Sequence, residues 1–221
     1  MKKYLIISKK KWEKKYYRSL GKSFYFEDKL ILQKVKKISP DIIFFIHWSK
    51  KVKPEIFNNF LCIQFHSSNL PKFKGGSPIQ NQIIRGKKIS RITAFKMNNK
   101  IDSGDICLKK KLSLNGSAEQ IFKRMEKISI SMIKILAKKK VINFQKQKGN
   151  SSYFKRRRPN ESLINANKNL NLNKIYDFIR MLDAPNYPKA YIKLQKYKIL
   201  FESVKKRDNS QLEGKFKIVK K

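Results

Sequence analysis

Gln64, His66 and Asp102 are the residues of this chain whose types and spacing could move a proton. Along a strand, residues two apart point to one side, so Gln64 and His66 are presented together. Asp102 follows His66 by 36 positions. If it ends a neighbouring strand, an imidazole, a carboxylate and a carboxamide converge on one pocket. Such a set can take a proton from an attacking amine, stabilise a developing oxyanion and orient the imidazole. A plainer reading uses the same residues: His66 caps a loop and Asp102 closes a turn. Spacing alone leaves both open.

The elements that must carry these residues can be read from periodicity and breakers. Tyr4 to Ser8 reads as a strand, Phe24 to Phe26 as a short second one, and Lys29 to Ile38 as a modest helix ending before Pro40. Asp41 to Ile46 is an almost continuous apolar run, the mark of a strand covered on both faces. A further strand runs from Phe60 to Phe65. Strands separated by helical spacers predict a parallel, doubly wound α/β sheet, whose ligands gather beyond the carboxyl ends of the strands. Both histidines fall at such ends, His47 after the Asp41–Ile46 strand and His66 after Phe60–Phe65.

Beyond His66 lies a loop with Pro71, Gly75, Gly76 and Pro78. Ser77 is placed to cap a short helix over 78 to 85, with Pro78 at its first position and Gly86 closing it. Gly75-Gly76 would let a ligand approach the backbone. Ile92 to Met97 then delivers the chain to the polar turn Asn98 to Asp105, with Gly104 as its pivot. After a strand from Ile106 to Leu112, Ser117 and Gln120 form a capping box for a helix. Its stripe of Ile121, Met125, Ile128, Met132 and Ile135 reads as core. Past Pro188 the pattern turns two-periodic, over Ala190–Leu194, Lys196–Val204 and Gly214–Val219, as in a small antiparallel sheet.

Composition bounds the function. No apolar run reaches the roughly 18 residues of a membrane helix. The start Met1 to Ser8 is too briefly apolar before Lys9-Lys10-Lys11 for a signal peptide. Cys62 and Cys107 lack metal-ligand spacing, so reduced thiols in a cytoplasmic protein are expected, with no metal. Fifty-four Lys and Arg against fifteen Asp and Glu give a net charge of +39. On its face that predicts nucleic acid or an anionic membrane as partner. Yet nine of the cations are arginine, and the lysines are spread over all elements instead of concentrated on one. The excess therefore reads mainly as a lysine bias on solvated faces. One compact cluster, Arg156-Arg157-Arg158, stands apart, and solvated charge competes there with diphosphate binding.

His66 with Ser68-Asn69-Leu70-Pro71, Lys74-Gly75-Gly76, Ser77-Pro78-Ile79-Gln80 and Ile101-Asp102-Ser103-Gly104-Asp105-Ile106 resembles the folate-dependent formyltransferases, over about residues 40 to 125. The resemblance implies a Rossmann-like core and 10-formyltetrahydrofolate as formyl donor. It makes His66 and Asp102 the catalytic pair, with Gln64 where the family usually has Asn. The carboxamide survives on a stem one carbon longer. The resemblance also implies a folate cleft at the strand ends, with the pterin beside residues 98 to 102, including Asn98, Asn99 and Ile101. The formyl-bearing nitrogen would lie near Leu70, Pro71 and Gly75.

Within that family, Tyr153 to Ser162, Ile175 to Ala184 and Tyr187-Pro188-Lys189-Ala190 resemble the segment that follows the core in amino-sugar formyltransferases of the pseudaminic-acid pathway type. The strand end Phe44 to Ser49, with His47, does so too. The implied organisation is a catalytic domain over 1–150 and an acceptor-side extension over 151–221, a helix plus a small antiparallel sheet. The implied acceptor is a nucleotide-linked 4-amino-4,6-dideoxy sugar, with His47, Arg180 and Tyr187 as contacts. Arg180 fits a structural ion pair equally well. Two alternatives stay open. One is a methionyl-tRNA formyltransferase, for which the roughly 70 residues after the core read as too few for a tRNA-binding domain of the larger type. The other is a non-catalytic basic nucleic-acid-binding protein. Apolar residues in the C-terminal strands would permit a homodimer.

Overall fold

The computed structural model describes residues 2–8, 20–165 and 170–220; the Lys9–Lys11 run lies outside them. Its main elements, in chain order, are β1 (Tyr4–Ile7), β2 (Phe24–Glu27), α1 (Leu32–Ile38), β3 (Ile42–Phe45), α2 (Pro54–Asn59), β4 (Leu61–His66), α3 (Pro78–Ile83), β5 (Ile89–Lys96), β6 (Ile106–Ser113), α4 (Ala118–Lys138), α5 (Leu172–Arg180), β7 (Ala190–Lys193), β8 (Tyr197–Lys206) and β9 (Leu212–Lys220). They fall into two compact units. The first comprises residues 1–74, 91–112 and 125–153, and the second residues 75–90, 113–124 and 154–221.

The first unit is built on a six-stranded sheet ordered β2-β1-β3-β4-β5-β6. Strands β1 to β4 are mutually parallel, with Phe45 level with Gln64. All four residues of β1 and all four of β3 are buried, as the unbroken apolar runs required. Leu5, Ile7, Ile43 and Phe45 pack with Val35, Val52 and Ile56 in one cluster. Helix α1 starts at Leu32, later than the sequence pattern indicated. It stops where Ser39 turns left-handed at φ 47° and its N–H bonds the Val35 carbonyl, one residue before Pro40.

The sheet departs from the all-parallel expectation at β5, which runs antiparallel to β4 and sets Thr93 opposite His66. A strand's residue pattern reads the same in either direction, and the 22 residues between β4 and β5 are enough for either course.

In the second unit, α3 buries Ile79, Gln80, Asn81, Gln82 and Ile83. The polar three bond to main chain: Gln80 donates to the Met181 carbonyl, Asn81 to Gly76 and Ser77, and Gln82 to Pro78. Ser77 is not the side-chain cap the sequence suggested, for its backbone is left-handed at φ 49° and its hydroxyl makes no cap bond. That hydroxyl accepts instead from the Arg157 N–H at 3.2 Å. Asn171 caps α5 by accepting from the Lys174 N–H. Strands β7 to β9 form an antiparallel sheet in the order β9-β8-β7.

The Ser117–Gln120 capping box of α4 forms reciprocally. The helix's buried stripe drifts, however: Ile121, Met125 and Met132 are buried, but Ile133 and Leu136 take the places expected of Ile128 and Ile135. Over 21 residues a stripe read at steps of four and three falls behind the 3.6-residue turn.

Cys62 and Cys107 are both free thiols, and burial pushes each up to about 12. At pH 8 only on the order of one thiol in ten thousand is then a thiolate. Iodoacetamide at that pH should leave the native protein unalkylated while both cysteines react in urea, as read by mass spectrometry. Alkylation of the native protein at the rate of a free thiol would contradict this packing.

Candidate active site

His66 ends β4 and is 6% exposed; Asp102, in the turn between β5 and β6, is 7% exposed. The structure brings them together: imidazole Nδ1 lies 3.4 Å from Asp102 Oδ2. The other ring nitrogen, Nε2, is 2.8 Å from the Phe73 carbonyl. A carbonyl can only accept, so Nε2 carries a hydrogen and Nδ1 is left to exchange a proton with the carboxylate or a reacting group.

The loop that supplies Phe73 is braced along its length. Thr93 Oγ1 donates to the Ser68 carbonyl and Ser68 Oγ to the Lys72 carbonyl, each at 2.6 Å, and the Phe73 N–H donates to Ser152 Oγ. Lys109 Nζ donates to Asn69 Oδ1 at 2.7 Å and to the Leu70 carbonyl at 2.6 Å. Desolvation, with Arg91 nearby, holds its ammonium below the usual lysine range. Two of the expected cofactor contacts, Leu70 and Pro71, lie in this loop, joined by a cis peptide bond. The Leu70 side chain is buried and belongs to the packing.

The Asp102 turn is equally specified. Asp102 itself is left-handed at φ 49°. Asn98 Oδ1 accepts from the Lys100 N–H and lies 3.1 Å from Ser103 Oγ, so this side chain is committed to the turn. Asn99 is exposed and Ile101 is 65% exposed beside the buried carboxylate. A Cβ on Gly104 would sit 1.6 Å from the Lys96 carbonyl oxygen; the turn closes over β5 only with glycine. Gln64 is half-buried on the same side of β4 as His66. His47 lies two residues past the Phe45–Gln64 rung, at φ 48°.

Gly75, Arg180 and Tyr187 belong to the second unit. Gly75 is left-handed at φ 90°. Arg180, read as an acceptor contact or an ion-pair residue, has the second role. It is 2% exposed, and its guanidinium donates to Asp177 Oδ1 at 2.7 Å and to the carbonyls of Leu114 and Gly116 at 2.6 and 2.8 Å. Those carbonyls lie in the turn between β6 and α4, and a buried guanidinium with five donors is what satisfies them. Burial raises the Tyr187 phenol above its ordinary range, while its hydrogen bond with Ser77 and the charges of Arg156 and Arg157 pull it back. Arg157 stacks over Phe178 at 5.7 Å. A Cβ on Gly76 would meet the Arg156 backbone at 2.3 Å, so the arginine run is held against this glycine.

Sequence reasoning missed Lys109 and the internal bonds of Arg180. Lys109 is one of many lysines, and nothing in its neighbourhood along the chain marks it. Among the described residues no group of three His, Cys, Asp or Glu could hold a metal ion, and no helix is long and apolar enough to cross a membrane.

Residues 6–134 match the family model described as "Formyl transferase", and residues 159–219 the one described as "Methionyl-tRNA formyltransferase, C-terminal domain". The chain is 30% identical over 186 residues to the bifunctional polymyxin resistance protein ArnA of Wigglesworthia glossinidia brevipalpis, a match covering 77% of this chain and 28% of that protein. It spans between 25% and 64% of a set of curated methionyl-tRNA formyltransferases. A solved structure titled methionyl-tRNA formyltransferase, from Clostridium thermocellum, is 38% identical, covers all of both chains and superposes with a TM-score of 0.91. A 4-N formyltransferase from Francisella tularensis shares the fold at a TM-score of 0.69 and 17% identity, covering 88% of this chain and 93% of that one.

Replacing Gly104 by alanine should cost more than about 2 kcal/mol through overpacking. Gly149→Ala, where nothing lies within 4 Å but φ is 93°, should cost about 1 kcal/mol or somewhat more from backbone strain alone. Urea denaturation of both variants checks the order; equal losses would mean that the 96–104 contact does not constrain the turn.

Proposed function

The chain belongs to the formyl transferase family, and from that premise we propose that it moves the formyl group of 10-formyltetrahydrofolate onto a primary amine, with His66 and Asp102 as the proton-handling pair. The observation that carries this reading is the 3.4 Å approach of His66 Nδ1 to the buried Asp102 carboxylate. The amine nitrogen attacks the formyl carbon, and a carbon–nitrogen bond forms as the carbonyl oxygen takes up charge. The attacking nitrogen loses a proton by way of Asp102 and His66. That proton reaches the folate nitrogen as its bond to the formyl carbon breaks, leaving tetrahydrofolate and an N-formyl product. Gln64, on the His66 side of β4, is the candidate oxyanion donor. Leu70, Pro71, Gly75, Asn98, Asn99 and Ile101 are the candidate donor contacts.

The acceptor proposed is an amino sugar, as a nucleotide-linked 4-amino-4,6-dideoxy sugar, with Tyr187 and His47 as contacts. Support comes from the resemblance of residues 153–190 to amino-sugar formyltransferases. The Arg156–Arg158 run and the Tyr187 hydroxyl, both beside Ser77 in the second unit, add groups suited to phosphate. A second reading takes the aminoacyl end of methionyl-tRNA as acceptor. It is favoured by the description of the family model over residues 159–219 and by the 38% identical structure of that title. Exposed Phe216 and Ile218 on the outer strand β9 suit a homodimer through the C-terminal sheet.

Purified protein incubated with formyl-labelled 10-formyltetrahydrofolate should label one of a panel of nucleotide-linked amino sugars, read by mass spectrometry. Labelling of methionyl-tRNA alone, falling steeply with salt as phosphate contacts require, would replace the sugar reading. On the labelled acceptor, His66→Ala and Asp102→Asn should each lose about a hundredfold or more in kcat. Near-normal turnover in either would overturn the assignment of the pair.

A further inference from the structure

We propose that Gln147 is a positioning residue for formyl transfer, clamping the turn that presents Asp102; this rests on the proposed role of Asp102. Gln147 lies in a stretch without helix or strand, 45 residues from Asp102. Its amide Nε2 has two hydrogens, and the structure gives each a carbonyl: Asp102 O and Gly104 O, both at 2.9 Å. The two acceptors flank Ser103, so the backbone is tied on both sides of the turn's centre.

Three further observations fit a clamp. Asp102 has a φ of 49°, a region few non-glycine residues enter, though aspartate more than most, and one that surrounding contacts help to hold. The anchor is itself fixed, because two residues before Gln147 the backbone of Gln145 exchanges hydrogen bonds with Ile106, the first residue of β6, at 2.8 and 2.9 Å. Backbone bridge, amide and turn thus close a short loop around residues 102–106. Finally, Gln147 Oε1 is buried without a hydrogen-bond partner among the described residues. The amide could turn over only by aiming that oxygen at two carbonyl oxygens, so the two donor bonds set its orientation at the expense of its acceptor.

Catalytic groups tolerate misplacement of only about 0.5 Å, and an untied turn in a sparsely populated conformation does not meet that tolerance. Gln147→Leu should therefore lower kcat for formyl transfer by about tenfold or more while changing the donor KM less than threefold. In an Asp102→Asn background the same substitution should cost nothing further, because the group it positions is already gone. Losses that multiply in the double variant, or an unchanged kcat in Gln147→Leu, would overturn the proposal. Gln147→Glu keeps the side chain's shape without the donors and serves if the leucine variant does not fold. A readout independent of activity comes from the ring resonances of His66, simple to assign in a chain with two histidines. Gln147→Leu should shift them in the same direction as Asp102→Asn. If Asp102→Asn moves them and Gln147→Leu does not, the clamp is refuted. Wild-type protein inactive on every amine would instead refute the functional reading, and the resonances would still decide the clamp.

Discussion

A carboxyl group taken out of water needs polar partners, and beside Asp102 the first unit sets an imidazole that is itself buried and held from its far side. The Phe73 carbonyl leaves His66 one free nitrogen, and that nitrogen is the one facing Asp102. Bringing the pair together from two connections, after β4 and between β5 and β6, sets the demands on much else nearby. Ser68, Thr93, Lys109 and Ser152 hold the His66 loop, while the missing Cβ of Gly104 and the amide of Gln147 hold the Asp102 turn.

The second unit follows a different logic. Its buried polar groups serve mainly to bound elements: Arg180 satisfies two carbonyls in the turn between β6 and α4, and Asn81 and Gln82 satisfy those at the start of α3. Its basic run beside Ser77 and Tyr187 stays partly exposed. There cations greatly outnumber acids, as along the whole chain. Ion pairs such as Lys189 with Asp183 or Lys217 with Glu202 occupy the few carboxylates and leave most lysines to solvent.

Much of the frame was legible in the residues. Continuous apolar runs mark β1 and β3 because a strand buried on both faces has no polar side to show, and Gln64, His66 and Asp102 stand out by type in a chain poor in histidine and acid. Direction was less legible. β5 reads the same forwards and backwards, and the 22 residues that lead to it from β4 would allow either course. Ser77 has the right type for a cap, yet its backbone is left-handed and its hydroxyl serves the Arg157 N–H. Lys109 and Gln147 left no signal because their partners, Asn69 Oδ1 apart, are main-chain carbonyls, which every residue has, 39 to 45 positions away. Such bonds belong to the folded geometry and leave no spacing to detect.

On the proposed function, His66 Nδ1 and Asp102 face the reacting formyl group together. A crystal structure of the protein with a stable analogue of the formyl donor tests it most directly. The carbon equivalent to the formyl carbon should then lie within about 4 Å of His66 Nδ1 or the Asp102 carboxylate, a near-attack separation, with the ring held against residues 98–102. An analogue bound elsewhere, with His66 and Asp102 still closed on each other and untouched, would contradict it.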